Sequence, residues 1–388
     1  MHNDVKKKEI TVFDFYLGGH HIEYLHHIYM RAIKHKEINF TFIIPSNFSK
    51  FKSALVFPES DNVRFLFYEL DDAYIRSLGL HKKSKLLCGL LKQHIAETGI
   101  KNIILIETMV FLPYLPLYIG KDVNITSILY NLPIYRKKNT LKSKLHTMLD
   151  MGIIAYSRCL KRVCLLNSRE AVDIYNKKYH TSKFAFLPDP YTPLECKRTV
   201  ENIKQEHSID SNKEIFIHIG GLTRRKGTIE ILKALAELDK ESLANKCFIF
   251  AGRVIEDIKT EFYDWVKQLN SKVQIIVFDC FCEYSLFAEL CTIANYIIIP
   301  YKNTAQSSGI CSYAAQFKVP VIGPAEGLLG SLIRDNGIGH TIKGINADKI
   351  AQFIHSEEYK NISIDEVKTN EYLYSCTPDN FFHHLTGI

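Results

Sequence analysis

Short apolar runs alternate along this chain with longer stretches in which apolar residues recur every three or four positions. The first pattern is that of a strand buried on both faces, the second that of a helix packed along one face. In the first half the runs fall at residues 10–16, 40–44, 63–68, 102–106, 125–130 and 163–166, with helices expected near 22–35, 81–95, 149–160 and 169–179. The second half repeats the alternation, with strands at 215–219, 247–251, 273–278, 296–299 and 319–322. Its helices are expected over 228–238, 261–269, 285–292, 307–317, 330–335 and 347–355. Each array predicts a parallel sheet covered by helices, so the expected fold class is α/β, with two doubly wound, Rossmann-like domains facing across a cleft. Pro188 and Pro190 interrupt the pattern and lead into a charged stretch without period, which places the domain boundary at 188. A last helix opens at Thr377-Pro378-Asp379, an N-cap, a proline at the first helical position and an acid in the first turn.

The loops between these elements carry the candidate chemistry. The strand at 215–219 is ended by Gly220-Gly221 and followed by Arg224, Arg225 and Lys226, with Thr228 as the expected N-cap of the next helix. Such a turn points backbone N–H groups and a helix N-terminus at one place, where an anion can sit. A solvated basic loop is the plainer alternative. The strand at 10–16 ends in a second glycine turn, Gly18-Gly19, followed by His20 and His21, with Glu23 in the first turn of the helix. It is not a G-x-G-x-x-G sequence and does not imply a dinucleotide. His20 and His21 are candidates for proton chemistry, or exposed residues of a helix face. Glu107 and Asn131 each stand just past the C-terminal end of a strand, where α/β proteins place ligand contacts.

Composition narrows the class. The chain has 388 residues and 46% hydrophobic content, enough for two ordinary domains. No run has the length and apolarity of a membrane span, and the N-terminal residues lack the apolar core of a secretion signal. The ten cysteines show no metal-type spacing, and Cys280 and Cys282 make no CxxC pair, so reduced thiols in a cytoplasmic setting are expected. Residues 1–190 hold 28 basic and 17 acidic side chains, a net +11, against −4 for the remainder. The excess is concentrated at Lys82–Lys92 and Arg136–Lys144, among leucines. Those clusters are either solvated surface or a seat on anionic lipid.

In order along the second half stand Gly-Gly-Leu-Thr-Arg-Arg-Lys-Gly (220–227), Phe-Ile-Phe-Ala-Gly-Arg (248–253), Ala-Asn-Tyr-Ile-Ile-Ile-Pro-Tyr (294–301), Ser-Ser-Gly (307–309), Val-Pro-Val-Ile-Gly (319–323) and Glu-Gly-Leu-Leu-Gly (326–330). With these pieces the chain resembles the GT-B glycosyltransferases, most closely glycosyltransferase family 4 (group 1), over about residues 214–345. The resemblance implies an N-terminal acceptor-binding domain over 1–188, a nucleotide-sugar-binding domain over 189–366, and a segment 367–388 whose helix crosses back to the first domain. It implies a retaining, metal-independent transfer of a hexose from a nucleoside diphosphate sugar to a hydroxyl of a glycan or lipid-linked acceptor, in polysaccharide or glycoconjugate synthesis. Lys226 falls on the family's phosphate-binding lysine. The family's arginine position is Gly221 here, so Arg224 or Arg225 is expected to supply the second charge, and Arg225 is named with Lys226 as catalytic. The implied donor-binding residues are Gly18, Gly19, Arg224, Gly252, Arg253, Ser307, Ser308, Gly309 and Glu326. His20, His21, Glu107 and Asn131 are the acceptor-side candidates. Where the family carries a pair of glutamates the chain has Ala305 and Tyr313, while Ser308-Gly309 matches the form some members carry instead. No metal, no further cofactor and no nucleic acid are implied. The expected location is cytoplasmic, with a peripheral seat on the inner face of the cell membrane as a second option. The competing readings are a sugar-nucleotide-binding protein without turnover and a GT-B nucleotide-sugar epimerase, for which Glu107, His20 or His21 would be the base.

Overall fold

The computed structural model describes residues 7–18, 20–48, 55–136 and 140–388. The chain packs as two units, Met1–Pro190 with Thr377–Ile388, and Tyr191–Cys376. The first unit is built on a seven-stranded parallel sheet: β1 (Lys8–Phe13), β2 (Ile38–Pro45), β3 (Val63–Tyr68), β4 (Asn102–Leu105), β5 (Asn124–Leu129), β6 (Leu160–Leu166) and β7 (Phe184–Leu187). Their order is β3-β2-β1-β4-β5-β6-β7. The second unit has a six-stranded parallel sheet: β8 (Glu214–Ile219), β9 (Lys246–Ala251), β10 (Gln274–Phe278), β11 (Tyr296–Ile298), β12 (Val321–Pro324) and β13 (Gly339–Ile342). Their order is β10-β9-β8-β11-β12-β13. Both sheets are doubly wound. The chain order reverses between β1 and β4 in one and between β8 and β11 in the other, and ligands of such sheets bind beyond the strand C-termini at that reversal.

Each strand is apolar because both faces are covered. In the first unit Ile10, Val12, Phe40 and Phe42 pack with Tyr24, Leu25 and Ile28 of the helix His21–Ala32. In the second, Phe216, Phe248 and Phe250 pack with Ile231, Leu232 and Leu235 of the helix Thr228–Glu237. Phe381, Phe382 and Leu385, on the helix Pro378–Thr386, are buried in the first unit's core. Asp379 on that helix holds Arg31 at 2.8 Å.

Several bounds differ from the sequence pattern, for local reasons. The strand expected to run to residue 16 ends at Phe13, because the Asp14 carboxylate accepts from the Tyr16 amide (3.0 Å) and pairs with His21. The helix expected over 149–160 spans Leu141–Tyr156, since Thr140 caps it by accepting from the Ser143 amide. Thr228 is not the cap of its helix. Gly227 takes that place, and the Thr228 hydroxyl is buried in a loop network. The helix expected from 307 begins at Ile310 with Gly309 as its cap, and the one expected from 330 spans Gly327–Asp335. The helix Glu366–Ser375 belongs to the second unit: Thr369 donates to the Asn336 carbonyl, and the Tyr372 and Ser312 hydroxyls meet at 3.1 Å. The segment that returns to the first unit therefore starts at Thr377, not at 367.

Candidate functional site

At the reversal of the second sheet, Gly220 follows β8 with φ +105°, and Gly252 follows β9 with φ +144°. A side chain at Gly252 would stand 2.0 Å from the Gly220 carbonyl oxygen, so two adjacent strand ends approach as only glycine permits. His218 on β8 anchors the loop that follows. It donates from Nδ1 to the Ile298 carbonyl (2.8 Å) and accepts at Nε2 from the Thr228 hydroxyl (3.0 Å), whose oxygen takes the Thr223 amide (3.0 Å). Burial lowers the His218 pKa to about 4 and keeps the ring neutral, as this tautomer requires. The Thr223 hydroxyl in turn accepts from the Lys226 amide (3.1 Å), and the Lys302 amide donates to the Arg225 carbonyl (2.9 Å).

This scaffold fixes the single turn Arg224–Lys226 over the ends of β8 and β11. The Lys226 ammonium lies 5.3 Å from the centroid of the Tyr301 ring. It also sits against Gly220, where an added Cβ would meet Nζ at 2.5 Å and Ile310 Cδ1 at 4.0 Å. Lys226, Gly220 and the start of the helix after Ser308-Gly309 are thus brought together. The Tyr301 hydroxyl is buried there with no hydrogen-bond partner among the described residues. Ser308 is buried, and its carbonyl accepts from the Cys311 amide (3.0 Å); Ser307 is partly exposed just before it.

The other donor-side candidates are placed differently. Arg224 turns to the helix Glu256–Leu269, with Glu261 at 2.7 Å, so its charge is matched away from Lys226. The Arg225 side chain is exposed, without a hydrogen-bond or ion-pair partner among the described residues. Arg253 is exposed, and its carbonyl accepts from the Leu222 amide. The Glu326 carboxylate accepts from the Gly344 amide (2.7 Å) and so pins the loop after β13. Ala305 is buried, and Tyr313 packs against Phe287 with ring centroids 4.9 Å apart, so packing fills both positions where the resembled family carries its glutamates.

The first sheet's reversal holds a second cluster. Asp14 follows β1, and its buried carboxylate holds His21 Nδ1 at 2.8 Å. Glu107 follows β4 and accepts from the Met109 amide (3.1 Å). Tyr16 and Tyr130 flank His21, with ring centroids at 5.3 and 5.5 Å. Burial favours the neutral His21 ring, but the Asp14 charge and hydrogen bond, with Glu107 beyond, outweigh it and raise the pKa. Burial pushes the Glu107 carboxyl up to about 7, and burial with Glu107 and Asp14 pushes the Tyr16 phenol up to about 12. His20 lies outside this cluster, 49% exposed and facing Glu23 at 3.5 Å. Asn131 accepts from Arg136 Nε (2.8 Å). Gly18 lies in this unit against Arg76, and Gly19 lies outside the described residues. Asp14, Tyr16, Tyr130, Tyr301 and His218 were not singled out from the sequence, although Asp14 and Tyr301 do stand at strand ends. Among the described residues no group of His, Cys, Asp and Glu side chains could hold a metal ion.

The Glu107 pKa has a consequence for stability. Its carboxyl binds a proton more tightly in the fold than in the unfolded chain, whose value is about 4.5, so stability should fall as pH rises from about 4.5 to about 7. Glu107→Gln keeps an oxygen for the Met109 amide and removes this titration. Compared by urea unfolding, the variant should gain about 2–3 kcal/mol on wild type between pH 5 and pH 8. Parallel curves across that range would show that the carboxyl does not titrate near neutrality.

Residues 199–368 match the family described as glycosyl transferases group 1. Over this segment the chain is similar to the group 1 glycosyltransferases. The matched segment contains β8 to β13, the Lys226 turn and the Ser308-Gly309 helix start. Among curated proteins no sequence matches the chain. Similar solved structures extend over nearly all of it. WaaG, a glycosyltransferase involved in lipopolysaccharide biosynthesis, has 13% identity and a TM-score of 0.65, covering 98% of this chain and 100% of its own. Anabaena HepE in complex with UDP-glucose has 12% identity and a TM-score of 0.68, covering 98% of each chain. Sucrose-phosphate synthase from Thermosynechococcus elongatus has 13% identity and a TM-score of 0.67, covering 95% of each. The fold of the chain is GT-B.

Proposed function

We propose that the chain is a retaining, metal-independent hexosyltransferase. Its donor is a nucleoside diphosphate sugar, and its acceptor a hydroxyl on a glycan or lipid-linked molecule, in polysaccharide or glycoconjugate synthesis. The observation that carries this reading is the placement of Lys226 at the reversal of the second sheet, against Gly220 and the start of the helix Ile310–Gln316. A departing nucleoside diphosphate gains negative charge as the glycosidic bond breaks. A fixed ammonium, with backbone N–H groups beside it, stabilises that charge without reorganising. Lys226 is the catalytic cation, Ser307, Ser308 and Gly309 contact the diphosphate, and Arg225 is the neighbouring free charge. HepE, a protein of this fold, is described with UDP-glucose, which supports a nucleotide-sugar donor. The first unit takes the acceptor. In the retaining mechanism the acceptor attacks the face that the diphosphate leaves, so Glu107 and His21 orient a hydroxyl and need not remove its proton.

A peripheral seat on an anionic membrane belongs to the same proposal. Among the described residues no helix is long and apolar enough to cross a bilayer. The helix Leu141–Tyr156 nevertheless exposes Leu141, Leu145, Met148 and Leu149, with Lys142 and Lys144 beside them. The basic helix Leu80–Thr98 buries Leu87 and Leu91 instead, which leaves Leu141–Tyr156 as the better anchor. One assay tests the whole reading. Radiolabelled nucleoside diphosphate sugars are incubated with soluble glycans, or with vesicles carrying glycolipid acceptors in anionic lipid, at low and high salt. Label should move to an acceptor, and vesicle association should weaken as salt screens it. Nucleotide release without acceptor labelling would point to epimerisation or hydrolysis, and tight binding without release to a protein without turnover.

A further inference from the structure

We infer that the first unit contains an anion subsite, formed by Arg76 and Lys83 beside the Tyr16 ring, which selects acceptors that carry a phosphate group as well as the reacting hydroxyl. The inference rests on the reading of the first unit as acceptor-binding.

The two cations reach one place from two helices. Arg76 is on Asp72–Ser77, whose start is capped by the Asp71 carboxylate accepting from the Ala73 amide, and Lys83 is on Leu80–Thr98. Both turn to the same ring. Arg76 Cζ lies 5.7 Å and Lys83 Nζ 5.5 Å from the Tyr16 centroid. Like charges gathered at one aromatic ring repel one another, and burial followed by the nearby Arg76 lowers the Lys83 pKa. One acid answers them. Asp72 pairs with Arg76 at 2.8 Å, while its other oxygen also accepts from Asn47 (2.9 Å). Lys83 has no carboxylate within ion-pair distance among the described residues. Within ion-pair distance the two cations therefore share a single carboxylate among the described residues. The absent side chain of Gly18 makes room for the cluster: a Cβ there would stand 2.6 Å from Arg76 Nη2, so the guanidinium lies over the backbone of the loop after β1.

The same tyrosine also meets the acid–histidine cluster. The Tyr16 ring is 5.3 Å from His21, and its amide is held by Asp14. One aromatic ring thus neighbours both the groups that can orient a hydroxyl and a guanidinium fork with an ammonium, the pair suited to a phosphate. A sugar phosphate or the head group of a phosphoinositide presents a hydroxyl and a phosphate about one ring apart.

The test measures binding before transfer, so that it stands apart from the proposed activity. Full-length protein is titrated with glucose 6-phosphate and with glucose. In a second arm it is titrated with phosphatidylcholine vesicles containing or lacking phosphatidylinositol. Wild type, Lys83→Gln, Lys83→Arg and Lys82→Gln are compared. Wild type should prefer the phosphorylated probe by about ten-fold or more in one arm, and that arm names the source of the phosphate. Lys83→Gln should abolish the preference, Lys83→Arg should restore it, and Lys82→Gln, an exposed neighbour, should leave it intact. An equal response to phosphorylated and neutral probes in both arms would overturn the subsite. So would a preference that survives Lys83→Gln, or one that Lys82→Gln reduces as much. A preference that holds while no donor sugar is ever transferred would retain the subsite and reject the transferase.

Discussion

Lys226→Ala should lower turnover by about 10²–10³-fold, the usual effect of removing one fixed donor from developing negative charge. The fold should tolerate the change. The bond that shapes the turn is made by the Lys226 backbone amide to the Thr223 hydroxyl, and alanine keeps it. Only the ammonium over Tyr301 is removed. The same turn supplies a comparison. Arg224 is held by Glu261 at 2.7 Å, so Arg224→Gln should act through loop stability and cost far less turnover than Lys226→Ala. Steady-state kinetics on both purified variants, with thermal unfolding as the check on folding, decides the matter. Near-normal turnover in Lys226→Ala, or a larger loss in Arg224→Gln, would remove Lys226 from the proposed mechanism.

The second large effect is structural. Gly252→Ala should destabilise the second unit by on the order of 3–5 kcal/mol, at the top of the usual range for one substitution. Two costs act together. The backbone is at φ +144°, which an L side chain rarely adopts, and the new Cβ would stand 2.0 Å from the Gly220 carbonyl oxygen. That contact is with backbone, so no side chain can rotate away from it. Relief would require β8 and β9 to separate just where the Lys226 turn begins. Urea unfolding followed by hydrogen exchange should show the loss in peptides of residues 191–376 and not in β1 to β7. A wild-type midpoint would mean that the strand ends have slack.

The alternation of apolar runs and helical stripes was enough to expect two parallel sheets, because a strand buried on both faces and a helix buried on one leave different periods. The Lys226 turn was also legible, as its strand, glycines and helix are contiguous. What the sequence hid is what depends on distant partners. Arg224 and Arg225 are adjacent and alike, yet one meets Glu261 from another helix and the other faces solvent. His20 and His21 could not be told apart until the strand end at Phe13 released Asp14 to hold His21. The bond from the Gly344 amide to the Glu326 carboxylate, eighteen residues apart, left no local signal either. The helix Leu141–Tyr156 was expected to begin later, because its first two turns present leucines to solvent and so lack the buried stripe that marks a helix.

In the proposed mechanism the donor diphosphate sits on the Lys226 turn and the helix start after Ser308-Gly309. Amide hydrogen exchange of the full chain, with and without saturating UDP, GDP, ADP or dTDP, tests it directly. At least one nucleotide should slow exchange in peptides covering 220–228 and 307–312 together, and this protection should be lost in Lys226→Ala. Protection confined to other peptides, or none with any of the four, would contradict the claim.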